Sequence, residues 1–546
     1  METNNTKKKK DTDLLHENEN KLLKIKKSVI HPCLRLSLFP NVPPYIKFSD
    51  NKTKLLPPSI RKMLLWKHSK ITPYVVRNVV TNTGFEILNE SIIEWSGVWT
   101  NQRKCTAYRK LHNHQKFNHL PGTVEIGRKD NLWRNIQVKM LRYGQKQFNI
   151  MPITFVLPRE RKKFQNEWAK NNTQTQCWII KPPASYRGDG IKLVYKYKQV
   201  PTFSTIIAQK YVWNPYLINE TKFDLRLYVL LTSVNPLQLY WYKNGIVRFA
   251  STKYSTDTKS LNNRYIHLTN YSVNKHNEKY IVNVNANSCE GHKWTIETLW
   301  KYLEEQHQVD INQLQRRLID LIIKTVICGE NGITRSVIDH LRSRYNAYEL
   351  FGFDVILDEN LKPWLLEVNI SPSLEASSPL DRAVKGPLMQ EILNIVGFHI
   401  PVNKKIPEKQ LAARLGKPPV SRLYLDNRIY FTSLSYSEKH KQSKYVKKKR
   451  KDYLQDILNS LTPDDVRHLI SYEDELTQLK SFKKIFPTHK TCKYFKYFDK
   501  QRYYNQLLDA WENKYHENRE EGRNVLKALC EKGFHLRTAG YIRQQS

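Results

Sequence analysis

Short apolar runs separated by polar turns dominate the middle of the chain. From about Ile92 to Pro401, runs rich in β-branched and aromatic residues alternate with stretches of helical period. The strand-like runs are CWIIK, FDLRLYVLLTSV, LQLYWY, ELFGFDVILD and KPWLLEVNI, and the clearest helical stretch is NQLQRRLIDLIIKTVI. This alternation predicts one large α/β body, and we take residues 91–401 as its bounds.

The segment before this body has a different pattern. Residues 1–90 combine polar low-complexity sequence and many lysines with the proline-rich stretches FPNVPP and LLPPSI. Such composition is typical of chain that buries little apolar surface. We therefore expect residues 1–90 to form a flexible basic arm.

The segment after the body joins charge to helical periodicity. In KHKQSKYVKKKRKDYLQDILNSL a lysine run leads into a helix whose apolar face holds Leu454, Ile457, Leu458 and Leu461. Thr462, Pro463 and Asp465 predict the start of a second helix, as N-cap, first helical residue and capping acid. Residues 402–546 are therefore predicted to form a basic helical extension.

The charge of the chain changes this picture by implying an anionic partner. Its 546 residues include 90 Lys and Arg but only 51 Asp and Glu, a formal net charge of +39. Such an excess predicts long-range attraction to a polyanion, and nucleic acid, an anionic membrane and an acidic protein surface all fit. Charge alone does not choose among them.

Cysteine spacing and apolar run length limit the class of protein. The seven cysteines are widely spread and form neither a CxxC pair nor a Cys/His cluster with zinc spacing, so reduced thiols are expected. The sequence has no run of 18 apolar residues, and its N-terminus lacks the apolar stretch of a signal peptide. We expect a soluble cytoplasmic protein.

The first candidate for chemistry is a glycine-containing loop after a strand. The run WIIK ends at Lys181 and is followed by PPASYRGDGI, which contains Arg187, Gly188 and Gly190. Glycines allow close backbone approach, and the two cations suit phosphate groups. An ordinary basic surface loop is the alternative. The loop does not have the P-loop pattern GxxxxGK[ST], which disfavours that class.

A second candidate is a predicted hairpin that carries acids within apolar sequence. Glu367 and Asn369 are two residues apart on one strand, so they share a face, and the hairpin brings Asp354 beside them. Three oxygen ligands on rigid strands suit Mg²⁺ that bridges phosphate oxygens. A solvent-facing acidic rim is the alternative, but burying unpaired carboxylates there is costly, which favours the metal site.

Two further segments offer charged and polar side chains. Lys222, Asp224 and Arg226 alternate with apolar residues on one strand and could hold phosphate and ribose, although an exposed strand face gives the same pattern. The stretches VRFAS, HLTNYSVNK and GHKW supply cations and neutral donors suited to carboxylates. The GxSxG elbow and the papain-like cysteine signature are both missing from the sequence, which disfavours a covalent hydrolase.

Taken in order, seven segments resemble the tubulin-tyrosine-ligase-like family, and the glutamate-initiating polyglutamylase branch most of all. They are KPPASYRGDGI, KFDLRLYV, VRFAS, HLTNYSVNK, GHKW, ELFGFDVILDENLKPWLLEVNISPSL and SPLDRAVKG. The likeness runs from about Trp95 to about Pro401 and is expected to continue into the basic tail, which leaves only the first ~90 residues uncovered. The family's core is ATP-grasp-like, with nucleotide clamped between two α+β parts. We therefore expect an α/β, ATP-grasp-like ligase core at 91–401 with a basic helical extension.

The resemblance implies a role for each residue that matches a family motif. Three cations would act in catalysis: Lys181, Arg187 and Arg226. ATP would contact Lys181, Arg187, Gly188, Gln209, Lys210, Tyr211, Val212, Lys222, Phe223, Asp224, Thr269 and Asn270. Mg²⁺ would be held by Asp354, Glu367 and Asn369, and free L-glutamate by Arg248, Tyr271, Ser272, Lys293 and Lys385.

The resemblance also implies a reaction and its partners. The expected enzyme is an ATP- and Mg²⁺-dependent tubulin polyglutamylase, which starts glutamate side chains by an isopeptide bond on acidic tubulin tails through an acylphosphate. α/β-Tubulin and microtubules are then the macromolecular partners, with 402–546 as the microtubule-binding extension. We expect a monomer in the cytoplasm and cytoskeleton, including the cilium or basal body, without a membrane or nucleic-acid partner.

Three alternatives stay open at this stage. The enzyme could glutamylate acidic proteins other than tubulin, or the chain could be an inactive microtubule-binding relative. A nucleic-acid-binding protein is favoured by the charge of +39, but RRM, KH and zinc-finger signatures are all missing from the sequence.

Overall fold

A computed structural model describes residues 31–49, 51, 54–89, 92–170, 177–185, 188–415 and 422–538. In chain order its strands are β1 (Leu34–Arg35), β2 (Tyr45–Ile46), β3 (Leu65–Lys67), β4 (Glu86–Leu88), β5 (Gly97–Val98), β6 (Lys116–Phe117), β7 (Thr154–Leu157), β8 (Trp178–Lys181), β9 (Lys192–Val194), β10 (Ile206–Lys210), β11 (Leu217–Ile218), β12 (Thr221–Val234), β13 (Leu237–Phe249), β14 (Lys293–Thr295), β15 (Glu349–Leu357), β16 (Pro363–Asn369) and β17 (Phe482–Phe486).

Its α-helices are α1 (Pro58–Arg61), α2 (Tyr74–Asn82), α3 (Val124–Gly127), α4 (Lys129–Tyr143), α5 (Arg161–Lys170), α6 (Arg264–His267), α7 (Tyr271–Asn274), α8 (Ile296–His307), α9 (Ile311–His340), α10 (Pro379–Val396), α11 (Glu408–Arg414), α12 (Tyr436–Val446), α13 (Arg450–Asp456), α14 (Pro463–Leu476), α15 (Tyr503–Tyr515) and α16 (Arg519–Glu531). The α/β class predicted from the sequence is confirmed. None of these described helices is long and apolar enough to cross a bilayer.

A seven-stranded antiparallel sheet forms the centre of the molecule. Its main path is β14-β13-β12-β15-β16, with β11 added beside β12 and β17 beside β13. Leu225 and Leu227 of β12 point into a core shared with α9, whereas Tyr228 and Leu230 point into a second core shared with α10. Because both faces of the sheet are covered, its strands appear in the sequence as nearly continuous apolar runs.

A smaller sheet lies against the central one and completes a cleft. Its strands run β7-β10-β8-β9, and all three pairings are antiparallel. Trp178 of β8 is buried against Phe164 of α5, with ring centroids 4.9 Å apart in an edge-to-face arrangement. This aromatic packing fixes β8, and with it Lys181 at the end of that strand.

Much of the segment expected to be a flexible arm is folded against the body. Residues 31–49 and 54–89 contribute β1 to β4, α1 and α2, and Trp66 and Val76 are fully buried in the core that also holds α10. Ser37 and Tyr45 both donate hydrogen bonds to Asp474 in α14, at 2.6 and 2.9 Å. The apolar residues of this segment are covered by distant parts of the chain, which local composition does not reveal. Residues 1–30 lie outside the described residues.

The C-terminal extension is helical, as predicted, but one helix is shorter than its apolar pattern. Thr462 caps α14 in a reciprocal capping box with Asp465, and Pro463 is the first helical residue. Helix α13 instead ends at Asp456, and the chain turns there, yet Ile457 is still fully buried. A buried turn presents its apolar side chains to the core as a helix would, which explains the misleading periodicity.

The extension also contributes a strand to the central sheet. β17 pairs antiparallel with β13, with Leu239 opposite Phe486 and Tyr242 opposite Phe482. Phe486 is completely buried in the core that contains α9. The seven cysteines, also predicted to be reduced, are all free thiols.

We predict that Phe486→Ala lowers the free energy of unfolding of the whole body by about 3–5 kcal/mol, because the lost side chain leaves a cavity in a core shared with the central sheet. Denaturant unfolding followed by tryptophan fluorescence measures the change. Lys483→Ala on the same strand removes an exposed side chain and is the matched control. Equal, small effects of the two substitutions would mean that β17 is not part of the body's cooperative unit.

Candidate active site

The cleft between the two sheets collects side chains from widely separated segments. β12, β15 and β16 form one wall, β8 and β10 form the other, and the segment around α6 and α7 closes one end. The lining residues are Ile179, Lys181, Ile191, Gln209, Lys210, Tyr211, Val212, Lys222, Asp224, His267, Leu268, Thr269, Asn270, Asp354, Ile356, Leu366 and Glu367. Nine of the twelve residues expected to contact ATP therefore line one cleft, together with two of the three expected Mg²⁺ ligands.

Charged residues cross the central sheet in two adjacent rows beneath this cleft. Strand pairing places Arg248 between Asp224 and Lys293, and it places Asp354 between Arg226 and Glu367. Because Asp224 and Arg226 are two residues apart on β12, both rows lie on the same face of the sheet. The register of the sheet thus assembles cations and carboxylates from five strands.

The innermost four charges form a hydrogen-bonded network. Arg226 donates from Nε and Nη2 to the two oxygens of Asp354, at 2.6 and 3.1 Å. Arg248 donates to both oxygens of Asp224, at 2.8 and 2.5 Å, and its Nη2 also lies 2.9 Å from Asp354 Oδ2. Two-point contacts fix the guanidinium planes as well as the charges. The network is therefore a rigid floor for the cleft.

The protonation state of Asp354 follows from these contacts. Burial by itself raises the pKa of Asp354, but Arg226 and Arg248 outweigh burial and hold the pKa well below its ordinary range. The carboxylate is thus ionised at neutral pH although it is only 3% exposed. An ionised carboxylate oxygen is a suitable ligand for a divalent cation.

The three predicted metal ligands do converge, on the hairpin of β15 and β16. Asp354 lies directly opposite Glu367, and Asn369 lies opposite Gly352, with an irregularity in register just after Asp354. The Asn369 amide donates to Glu367 Oε1 at 3.3 Å, and Lys129 Nζ lies 2.9 Å from Glu367 Oε2. Two carboxylates and an amide are hard oxygen donors, and this donor set fits Mg²⁺.

Lys181 lies beside the carboxylates of Asp354 and Glu367. Its Nζ donates to Gln209 Oε1 at 2.8 Å and lies 3.4 Å from the carbonyl of Leu366. Burial, with a smaller contribution from Lys129, lowers the pKa of Lys181 to about 8, while Glu367 and Asp354 oppose the shift. Lys181 is therefore mainly charged at neutral pH and available to an anion in the cleft.

The glycine loop after β8 is described only in part. Gly188 adopts a positive φ of +79°, a conformation that favours glycine, and its carbonyl accepts a 2.7 Å hydrogen bond from Arg264 Nη2. A Cβ at this position would lie 3.3 Å from Asn270 Oδ1, so the loop lies close to α7. Arg187, expected to contact ATP phosphates, lies outside the described residues.

The opposite end of the cleft is built around a buried lysine. Lys222 Nζ donates to Tyr211 OH at 2.8 Å and to the carbonyl of His267 at 3.0 Å. Burial lowers the pKa of Lys222 to about 7, with Asp224 opposing the shift. Phe223 differs from its neighbours, because its side chain points into the core on the other face, 5.4 Å from the ring of Phe249.

A second cationic cluster, formed by Lys293 and Lys385, lies at the end of the row that contains Asp224 and Arg248. Asp381 bridges Lys293 and Lys385, with Nζ to carboxylate oxygen distances of 2.9 and 2.7 Å. The ammonium of Lys293 also lies 3.8 Å from the centre of the Tyr271 ring. Lys293 is opposite Arg248 in the β13–β14 pairing, so four of the five residues expected to bind glutamate are grouped here. Ser272 instead lines a neighbouring shallow pocket with Arg264.

Sequence reasoning missed three residues that touch the predicted ones. Lys129 contacts Glu367, Arg264 contacts the glycine loop, and Asp381 contacts both lysines of the second cluster. The contact of Asp381 with Lys385 could have been predicted from the sequence, because the two residues are four apart on α10 and such pairs share a helix face. Lys129 and Arg264 come from segments whose proximity depends on the tertiary fold.

The chain is similar to known proteins over most of its length. Residues 108–407 match the tubulin-tyrosine ligase family. The chain is 42% identical over 512 residues to the tubulin monoglutamylase TTLL4 of Homo sapiens, an alignment that covers 93% of this chain and 42% of the relative. It is 39% identical over 502 residues to the tubulin polyglutamylase ttll-4 of Caenorhabditis elegans, covering 91% of this chain and 80% of the relative.

Another relative is similar over a shorter part of the chain. The tubulin polyglutamylase TTLL5 of Mus musculus is 38% identical over 357 residues, covering 64% of this chain and 26% of the relative. The chain thus spans less than half the length of the human relative and most of the nematode one. The family match covers more than half of the chain and includes every charged cluster described above, and the chain therefore belongs to the tubulin-tyrosine ligase family, with its ATP-grasp-like fold.

Proposed function

We propose that this chain is an ATP- and Mg²⁺-dependent carboxylate-amine ligase that joins free L-glutamate to γ-carboxylates in the acidic C-terminal tails of tubulin. The observation that carries the proposal is the pair of adjacent clusters on one sheet face. A cleft lined by Lys181, Lys222 and the carboxylates of Asp354 and Glu367 lies on one side, and Lys293 and Lys385 lie on the other. The tubulin glutamylase names of the relatives support the choice of substrates.

One half of the site is suited to activating the acceptor. Asp354, Glu367 and Asn369 would hold Mg²⁺, while Lys181 and Arg226 would neutralise phosphate oxygens. Bound Mg-ATP would supply the phosphoryl group that turns the acceptor carboxylate into an acylphosphate, whose phosphate the amine of glutamate can displace. Since Arg226 is held by a two-point contact to Asp354, its charge is already oriented before substrate binds.

The other half of the site is suited to a dicarboxylate. Lys293, Lys385 and Arg248 provide three cations for the two carboxylates of free glutamate, and Tyr271 covers Lys293. Burial lowers the pKa of Lys385, and Asp381 opposes the shift by stabilising the charged form. Asp381 therefore keeps Lys293 and Lys385 charged although they are buried. An incoming substrate carboxylate can then share these two cations with Asp381 or take its place.

We predict that Lys385→Met raises the KM for glutamate about tenfold to a hundredfold, because one charge-assisted hydrogen bond to substrate is lost. The KM for ATP should stay within about twofold, since Lys385 does not line the nucleotide cleft. Steady-state kinetics with labelled glutamate measure both values, and Lys301→Met, an exposed lysine on α8, is the control. Equal rises in the two KM values would contradict the proposed role.

The segment 402–546 is proposed as the microtubule-binding extension. In its lysine run, Lys448 is paired with Asp456 at 2.5 Å and Arg450 with Asp509 at 2.8 Å, so these two cations hold the fold. Lys447 and Lys449 are exposed. Lys448 and Arg450 are therefore used in ion pairs within the chain, whereas Lys447 and Lys449 are available to bind an acidic surface.

We predict that the double substitution Lys447→Glu/Lys449→Glu weakens microtubule co-sedimentation by about tenfold or more, and that the loss shrinks as salt rises, because exposed charges are screened. The control is Lys162→Glu/Lys163→Glu, the same charge change at exposed positions of α5. Equal weakening by both pairs would indicate general attraction to the charged chain and not a defined contact.

The decisive test of function is mass spectrometry of unmodified microtubules incubated with the protein, ATP, Mg²⁺ and isotopically labelled glutamate. Mass increments of one glutamate on tubulin tails are expected, with single additions first if the enzyme starts side chains. Labelled glycine and tyrosine should give none. Modification of an acidic non-tubulin protein in preference to tubulin would replace the proposed substrate, and ATP binding without any transfer would replace the proposed activity by a binding role.

The proposal places the protein on the microtubule cytoskeleton of the cytoplasm, including the cilium or basal body, as a monomer. Size-exclusion chromatography with light scattering tests the monomer, and imaging of a tagged protein tests the location.

A further inference from the structure

A histidine pair and a glutamate meet outside the cleft, beside the small parallel sheet. The residues are Glu94, His112 and His114, whose potential ligand atoms all lie within 4.8 Å of one another. His114 Nε2 is 3.2 Å from one oxygen of Glu94, and His112 Nδ1 is 3.7 Å from the other. Two ligands of one tetrahedral Zn²⁺, each at about 2.0–2.1 Å from the metal, are separated by about 3.3 Å. The observed distances are close to that separation.

The backbone segments that carry these side chains are held together by the sheet. Glu94 precedes β5 and the two histidines precede β6, and these strands are parallel neighbours with Gly97 opposite Lys116. Parallel strands that start side by side bring the residues before them to the same edge of the sheet. The juxtaposition is therefore a consequence of the fold and does not depend on long side chains alone.

A buried glutamine fixes the two segments further. The Gln115 side chain accepts a hydrogen bond from the His112 backbone at 3.0 Å and donates one to the carbonyl of Ile93 at 2.7 Å. Asn346 donates to the carbonyls of both His112 and Gln115, at 2.8 and 2.7 Å. The loop that presents the histidines is thus pre-organised, which lowers the entropic cost of binding a ligand.

The chemistry of the group matches a borderline metal ion and not Mg²⁺. Two imidazoles and one carboxylate form a ligand set that Zn²⁺ uses in proteins, with water in the fourth position. His114 is the least exposed of the three side chains, at 23%, so its ring is the most firmly positioned of the three.

We propose that Glu94, His112 and His114 form a Zn²⁺ site separate from the catalytic cleft. The ion would tie the start of β5 to the start of β6 and hold the segment that leads to Trp95 and Phe117 in the small core beneath it. The site goes beyond the proposed ligase reaction, because none of its three residues lines the nucleotide cleft or contacts the second cationic cluster.

The test is Zn²⁺ titration of the untagged full chain against a chromogenic chelator, with excess Mg²⁺ present to occupy hard oxygen sites. One equivalent of tightly bound Zn²⁺ is expected. His114→Ala and Glu94→Gln should each weaken binding about tenfold or more, since loss of a ligand costs at least as much as loss of an outer-shell partner. His440→Ala, an exposed histidine in α12, and Glu367→Gln in the cleft should leave the affinity unchanged.

A second measurement separates this site from adventitious binding. X-ray absorption at the zinc edge should show two imidazole ligands among oxygen neighbours, and bound Zn²⁺ should raise the melting temperature of the unmodified chain but not of His114→Ala. The proposal is overturned if the unmodified chain shows no Zn²⁺ uptake, if His114→Ala binds as tightly as the unmodified chain, or if sulfur ligands dominate the spectrum.

Discussion

Glu367→Gln is expected to reduce glutamate transfer about 10³-fold or more while leaving the protein folded. The substitution keeps the shape of the side chain and removes the negative charge opposite Asp354 on the hairpin. A metal ion that loses a carboxylate ligand stabilises the developing phosphate charge less well, and several kcal/mol of such stabilisation correspond to several powers of ten in rate. The measurement is initial rate with labelled glutamate and microtubules at saturating ATP and Mg²⁺.

The matched control for this variant is Glu359→Gln. Glu359 is exposed at the far end of the same hairpin, where it accepts a 3.2 Å hydrogen bond from Asn214. Its substitution should leave the rate within about twofold, as expected for a surface position. If Glu367→Gln kept more than a tenth of the activity with an unchanged Mg²⁺ dependence, the hairpin would not be the metal site.

Arg248→Leu is expected to damage both stability and activity. Among the described residues, Arg248 is the only one whose side chain donates hydrogen bonds to the carboxylate of Asp224. Arg248 also contacts Asp354. Removing it leaves the carboxylate of Asp224, which is 3% exposed, buried without its counter-ion. Breaking a buried pair in this way costs about 3–5 kcal/mol of unfolding free energy, and glutamate transfer should fall below detection because the floor of the site is disordered.

Two comparisons make the Arg248 experiment specific. Lys243→Leu removes an exposed cation from the same strand and should change the unfolding free energy by about 0.5 kcal/mol or less. Arg248→Lys keeps the charge but loses the two-point contact, so it should recover much of the stability and little of the activity. Equal stability of Arg248→Leu and the unmodified chain in denaturant would show that the network is not structural.

The central sheet and the hairpin of β15 and β16 could be predicted because their sequence patterns are local. The run FDLRLYVLLTSV is β-branched and apolar enough to indicate a strand covered on both faces, and β12 spans it. The spacing of Glu367 and Asn369 places them on one face whatever lies around them. The two-residue repeat of a strand can be recognised within one segment, without knowing which strands it pairs with.

Other features depended on contacts between distant segments, which a single sequence does not show. Lys129 and Arg264 belong to the candidate site through tertiary packing. Phe223 lies within a segment that matches the family, but its side chain is buried in the core. The folded part of the N-terminal segment was missed for the same reason, since its buried residues are covered by α10 and by the extension.

The contacts of that N-terminal segment also bear on how the protein is made. Ser37 bonds to Asp474, 437 residues later, and the Asn41 amide bonds to the carbonyl of Cys530, 489 residues later. On the ribosome, Phe39 and Val42 therefore emerge long before the tyrosine- and leucine-rich core that covers them has been synthesised. Chain closure of this range is slow, and the waiting apolar segment is a natural binding site for chaperones during translation.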